Sequence, residues 1–196
     1  MKTDKDIASE KNKARKKVKN LLDNLSVRTY KLKNKVITDT LLKSDEYRKA
    51  NIVFIYHPFR KEIDTRIIIK DALAKNKKVI LPKVSGNEIK LFFIADIEKD
   101  LQPGSFGIPE PDDSKCQKAD LKSIDLVIVP GLCFDLNFNR IGYGRGFYDR
   151  LLKRLSPEVK IIALAFDLQV FDNIATCSHD QKINMIITES NTYKDF

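Results

Sequence analysis

Thiols and imidazoles are scarce in this chain. Cys116, Cys133 and Cys177 are odd in number and form no C-x-x-C pair, and only His57 and His179 accompany them. That inventory argues against a structural zinc site. Cys177-Ser178-His179-Asp180 can be drawn as a fragment of a soft-metal site, but it lacks further partners, and the thiols are expected to be reduced and without function. No Ser/His/Asp or Cys/His set is visible, and two histidines leave little scope for a nucleophile relay. No apolar run approaches membrane-spanning length, and the charged N-terminus lacks an apolar signal core. A cytoplasmic protein with no membrane partner is expected. Internal repeats, low-complexity tracts and domain boundaries are also missing, so residues 1–196 are read as one domain with a substantial core.

Charge is plentiful but unevenly placed. The net charge of +9 falls almost entirely in residues 1–50, where 15 Lys and Arg face 7 Asp and Glu. A nucleic-acid-binding arm can look like this. So can a solvated helical face, or a few cations supplied to a small anionic ligand.

The most informative stretch is Asp125 to Leu155, DLVIVPGLCFDLNFNRIGYGRGFYDRLLKRL. An apolar run from Leu126 to Val129 stops at Pro130-Gly131, as a buried strand would. Phe147, Leu151, Leu152 and Leu155 then recur at helical spacing. Between them lie Gly142, Gly144 and Gly146. A strand, a glycine-rich turn and a helix start make an anion-binding device, because the backbone can approach closely and present its N–H groups. Arg140 and Arg145 add positive charge. Asp149 beside such a site would be repelled by phosphate unless a cation lay between them, which suggests magnesium. A plain tight loop with an exposed Asp fits the glycines equally well, since G-x-G-x-G spacing alone is weak.

Upstream, Ala14, Val18, Leu21, Leu22 and Leu25 form one apolar stripe on a helix from about Ile7 to Leu25. At 100° per residue Lys11 projects into the apolar arc and Arg15 lies at its border. They either snorkel outward or reach into a ligand site. Ser26 can cap a second helix over Val27 to Lys43 with Val36, Ile37, Leu41 and Leu42 apolar. Strands are expected at Asn51–Tyr56, Val79–Leu81, Glu88–Ile94, Lys160–Phe166 and Ile183–Thr188. A helix capped by Asp64 or Thr65 should run to about Lys75, and Gly86-Asn87 marks a turn. The strand–helix–strand order implies an α/β fold of three layers, a mostly parallel sheet flanked by helices. Ligands gather at the C-terminal strand ends of such sheets, which puts the loop 57–62 on the functional edge. Residues 100–114, with three prolines and two glycines, show no periodicity and are read as an ordered loop.

Four stretches together resemble one family. VPGLCFD followed by RIGYGRGFYDRLL is similar to the signature of the 5-formyltetrahydrofolate cyclo-ligases, also called methenyltetrahydrofolate synthetases. KNKAR at 11–15 looks like their N-terminal helix, Tyr-x-Pro-Phe-x-x-Glu-Ile-Asp-Thr at 56–65 like their folate-gripping segment, and Phe106-Gly107-Ile108-Pro109-Glu110-Pro111 like their Gly-Ile-x-Glu-Pro motif. The resemblance runs from Lys11 to about Thr188.

It implies an ATP- and magnesium-dependent enzyme converting 5-formyltetrahydrofolate to 5,10-methenyltetrahydrofolate, with ADP and phosphate released. It assigns ATP contacts to Lys11, Asn12, Lys13, Ala14 and Arg15 and to Arg140, Ile141, Gly142, Tyr143, Gly144, Arg145, Gly146, Phe147 and Tyr148. Folate contacts fall to Arg15, His57, Glu62, Tyr143, Gly144, Arg145, Gly146 and Phe147, and magnesium to Asp149 and Asp180. Glu62 would meet the two donors of the pterin's amino-pyrimidine edge. The Phe106–Pro111 motif would be pocket wall. Phe147 replaces a common Tyr, and Arg145 stands where many members have Gly, so neither is named a catalyst. No residue is singled out as catalytic, and a monomer is expected.

The residues themselves supply cations, glycines and two carboxylates, an inventory that suits phosphoryl transfer. Two other classes stand beside it. A different ATP-dependent enzyme on the same scaffold would bind ATP and ignore folate. A nucleic-acid-binding protein would show steeply salt-dependent binding. The inward projection of Lys11 and the lack of an RNA-binding aromatic motif count against the second.

Overall fold

The computed structural model describes residues 3–195, so residues 1, 2 and 196 of the domain range 1–196 lie outside the described residues. A seven-stranded sheet is built from β1 (Ile52–Phe54), β2 (Lys78–Ser85), β3 (Glu88–Ile94), β6 (Leu126–Val129), β9 (Lys160–Leu164), β11 (Met185–Ile187) and β12 (Thr192–Lys194). Their order is β12-β11-β9-β6-β1-β2-β3. The five inner strands run parallel, and β3 and β12 add antiparallel edges. Strands buried on both faces need unbroken apolar runs, which Leu126–Val129 supplies; all four of its residues are buried.

The two faces are covered unequally. Val53, Val79, Leu81, Leu126, Ile128 and Ile162 meet helices α1 (Asp4–Asp23), α2 (Val27–Lys43), α3 (Asp45–Lys49) and α4 (Arg66–Ala74). Phe54, Ile80, Val127, Val129 and Ala163 on the other face pack against α5 (Phe147–Leu152). The three layers are therefore present, with one short helix as the third.

Helix α1 opens with a capping box, Thr3 and Asp6 each satisfying the other's backbone N–H. Ser26 caps α2 as its hydroxyl accepts from Thr29 N–H. The expected apolar stripes are correct except at Leu21 and Val36, which are 39% and 46% exposed. Each adjoins a better-placed neighbour, Leu22 and Ile37, and the 100° step between successive residues turns it toward the edge of the stripe.

The five-residue α3 was not anticipated, nor was pairing within 100–114. There β4 (Leu101–Pro103) and β5 (Pro109–Pro111) form a two-stranded ladder. Beyond β6, a small sheet of β7 (Cys133–Asp135), β8 (Arg140–Ile141) and β10 (Val170–Phe171) carries the chain out to the glycine loop.

Candidate active site

Sheet order decides where a ligand can sit. The chain leaves β1 toward β2 on one side, and leaves β6 toward β9 on the other, although β1 and β6 are neighbours. Between two such strands the connections diverge and open a crevice at their carboxyl ends. A cavity of about 840 Å³ lies there, lined by the loop after β1, the loop after β6, α1, the β4–β5 turn and residues 177–180.

Arg140 is held rigidly at the mouth of the glycine loop. The carboxylate of buried Asp135 accepts from the N–H groups of Asn137 (3.0 Å), Asn139 (2.9 Å) and Ile174 (3.1 Å), and from the Asn139 amide (2.9 Å). That fixes the turn feeding β8. The Arg140 guanidinium, 4% exposed, then donates to the Pro130 carbonyl at 3.2 Å and to Asp149 Oδ1 at 2.9 Å. Among the described residues its buried Nε has no partner, so an acceptor there would complete it. Gly142 is needed beside it, because a Cβ at that position would lie 2.7 Å from the guanidinium. Gly144, at φ +106°, takes a backbone conformation that L side chains rarely adopt.

Helix α1 closes the cavity from the other side. Arg15 Nε donates to the Gly142 carbonyl at 2.8 Å, tying the helix to the glycine loop, and Asn12 Oδ1 accepts from the same guanidinium at 2.6 Å. Lys11, 8% exposed, donates to Asp180 Oδ2 at 2.5 Å and to Cys177 Sγ at 2.9 Å. Burial opposes the charge of both partners, yet their hydrogen bond prevails: Asp180 is held below the usual carboxylate range and Lys11 above its own.

Glu62 lies on the third wall. Its carboxylate accepts from Phe59 N–H at 2.8 Å and interacts with the Tyr143 phenol. Desolvation outweighs both and pushes it up to about 7, while burial pushes the Tyr143 phenol well above its ordinary value. Burial also lowers His57, whose Nδ1 has no hydrogen-bond partner among the described residues. Tyr148 stacks on Phe54 with ring centroids 6.0 Å apart and lies beneath the Arg140 guanidinium.

Most of the anticipated residues meet around this one cavity: Lys11, Asn12, Arg15, His57, Glu62, all of Arg140 to Asp149, and Asp180. Lys13 and Ala14 do not. Lys13 is exposed on the outer side of α1, and Ala14 packs against the core. Successive residues of a helix lie 100° apart, so five in a row cannot all face the same side. Helix α5 has six residues rather than the longer span expected, so Leu155 lies past its end and any anion must rely on loop amides and arginines more than on a helix dipole. Phe106, Ile108, Pro109 and Glu110 do form wall. Tyr56, Phe59 and Cys177 also line the cavity, although none is among the residues assigned to ATP, folate or magnesium. Tyr56 and Phe59 adjoin His57 and Glu62 and could have been inferred from that adjacency. Cys177 was marked in sequence only as part of the Cys177-Ser178-His179-Asp180 fragment, and its Sγ accepts from Lys11 at 2.9 Å.

Magnesium takes oxygen donors, with one or two carboxylates and the remainder from substrate phosphates or water. Asp149 and Asp180 both face the cavity, each neutralised by a cation, Arg140 and Lys11. Their donor chemistry fits that ion.

Fold and site together define an α/β protein with a cation-lined ligand crevice at its switch point. The family model for the 5-formyltetrahydrofolate cyclo-ligase family matches residues 7–189, and the chain belongs to that family. It is 28% identical over 193 residues to mouse 5-formyltetrahydrofolate cyclo-ligase, covering 93% of this chain and 95% of the mouse protein. Identity to the Haemophilus influenzae 5-formyltetrahydrofolate cyclo-ligase is 31% over 143 residues, 71% of this chain and 76% of that one. Among solved structures, the Aquifex aeolicus 5,10-methenyltetrahydrofolate synthetase superposes with a TM-score of 0.84 at 34% identity, covering 94% of this chain and 92% of that one.

Proposed function

We propose that this protein uses ATP to convert 5-formyltetrahydrofolate to 5,10-methenyltetrahydrofolate, releasing ADP and phosphate. The observation that carries the reading is that one cavity gathers two unlike binding surfaces. Glu62 with His57 suits a flat, donor-edged heterocycle, and Arg140, Arg15, Lys11 and the glycine loop suit a triphosphate. The family membership supports the same substrates.

An amide oxygen is a poor leaving group, and phosphorylation makes it a good one. The formyl oxygen attacks the γ-phosphorus as ADP leaves, giving an N5-iminium phosphate. N10 then adds to the formyl carbon, losing its proton. The C–O bond breaks, and phosphate departs with the former formyl oxygen. The chain supplies positioning and charge for this sequence. Arg140, which lines the cavity, and the amides of residues 142–147 hold phosphate oxygens. Lys11 and Arg15 approach from α1. Ionised Glu62 accepts from the pterin's ring N–H and amino group. Tyr143 to Phe147 lie where the two substrates meet, and Tyr148 underlies Arg140 on the nucleotide side. Asp149 and Asp180 would hold magnesium, which when bound neutralises phosphate charge. For Asp180 to do so, Lys11 must turn from it toward the triphosphate.

The test is absorbance after mixing protein, 5-formyltetrahydrofolate, ATP and magnesium. The methenyl product absorbs at longer wavelength than the substrate, and a rise that needs all of these components is expected. A folded protein that binds ATP and gives no rise would keep the scaffold and overturn the substrate.

A further inference from the structure

Cys177, His179 and Asp180 have no assigned role as a set, yet their donor atoms converge. One ligand atom from each lies within 4.8 Å of the others. Cys177 Sγ is 3.3 Å from His179 Nε2, and Cys177 N–H donates to Asp180 Oδ2 at 2.8 Å, so the short loop itself holds the three together. Zinc–sulfur and zinc–nitrogen bonds at a tetrahedral angle imply a sulfur–nitrogen edge of about 3.5 Å. The observed separation is close to that edge. A cation is already attracted to the spot. The Lys11 ammonium lies 2.9 Å from the sulfur and 2.5 Å from the carboxylate.

We propose that Cys177, His179 and Asp180 form a site for a thiophilic divalent cation of the zinc class, with the Lys11 ammonium as its internal competitor. Sulfur and imidazole donors separate this ion from magnesium, which prefers oxygen alone. Three protein ligands leave the fourth position to water or to an incoming ligand, the coordination of an open site. As the metal–sulfur bond forms, the thiol proton passes to solvent, and the metal takes Asp180 from Lys11. Because His179 is exposed, the ion has a path in from solvent. The inference goes beyond the proposed reaction and does not depend on it; where both ions are present, magnesium competes with the thiophilic cation for Asp180.

Cobalt(II) titrated into the full chain tests it, since a cobalt–thiolate bond gives a near-ultraviolet charge-transfer band. One equivalent should produce that band, and zinc should bleach it. Cys177→Ser should abolish it, and His179→Gln, an exposed change, should weaken cobalt binding about tenfold or more. Lys11→Met removes the competitor and should tighten binding. No charge-transfer band, or a band that survives Cys177→Ser and vanishes in Cys116→Ser, would overturn the proposal. So would unchanged affinity in both His179→Gln and Lys11→Met. None of these readouts uses folate or turnover, so failure here leaves the proposed reaction standing, and failure of the reaction leaves this site standing.

Discussion

Glu62 is the residue whose environment says most about use. Its carboxyl is raised to about 7 by desolvation, although Phe59 N–H and Tyr143 favour the charge. An ionised Glu62 is the form that accepts from a pterin edge, so folate affinity should rise from about pH 6 to about pH 8. Glu62→Gln should bind folate about tenfold or more weakly at the upper end and lose that pH dependence. Titration by fluorescence or calorimetry at the two pH values checks this, and a variant with unchanged affinity would remove Glu62 from the folate site. Stability has the opposite sense. A folded-state value above the unfolded one favours folding below about pH 4.5, and that contribution is lost as pH rises toward 7. Melting curves should therefore show Glu62→Gln more stabilised, relative to the parent, at about pH 8 than at about pH 5.

At the scale of elements, the glycine loop and α1 act as one unit through Arg15 and the Gly142 carbonyl. Gly142→Ala would put a methyl group 2.7 Å from the Arg140 guanidinium. The arginine must move, and with it its contact to Asp149. A loss of about a hundredfold in kcat/KM with a near-parental melting temperature is expected. Parental activity would show that Arg140 need not hold its place. The apolar run at 126–129 and the stripe on α1 made β6 and the first helix legible in sequence, and the inward projection of Lys11 was legible with them. The β4–β5 ladder was not, because three-residue strands containing prolines carry no alternation to detect. The linear motif puts Lys13 and Ala14 in the ATP site, whereas helical geometry turns both away from the cavity. Arg140 was named a phosphate ligand, but its support by Asp135 depends on a turn whose hydrogen bonds spacing alone does not specify.

For the whole molecule, the cavity is assembled from segments as distant in sequence as Lys11 and Asp180. Helix α1 is one of its walls, so ligand binding should be felt along that helix. Amide hydrogen exchange is expected to slow in residues 7–18 and 140–149 together when magnesium-ATP is added. Protection confined to one of the two would separate α1 from the nucleotide site.

If phosphorylation of the formyl oxygen drives ring closure in this cavity, that oxygen must leave in inorganic phosphate, and isotope transfer follows it. 5-Formyltetrahydrofolate carrying heavy oxygen in its formyl group is converted in ordinary water with ATP and magnesium, and the released phosphate is weighed by mass spectrometry. One heavy oxygen in each inorganic phosphate is the predicted result. Unlabelled phosphate alongside full conversion would mean that the formyl oxygen never bonded to phosphorus and would rule out this route.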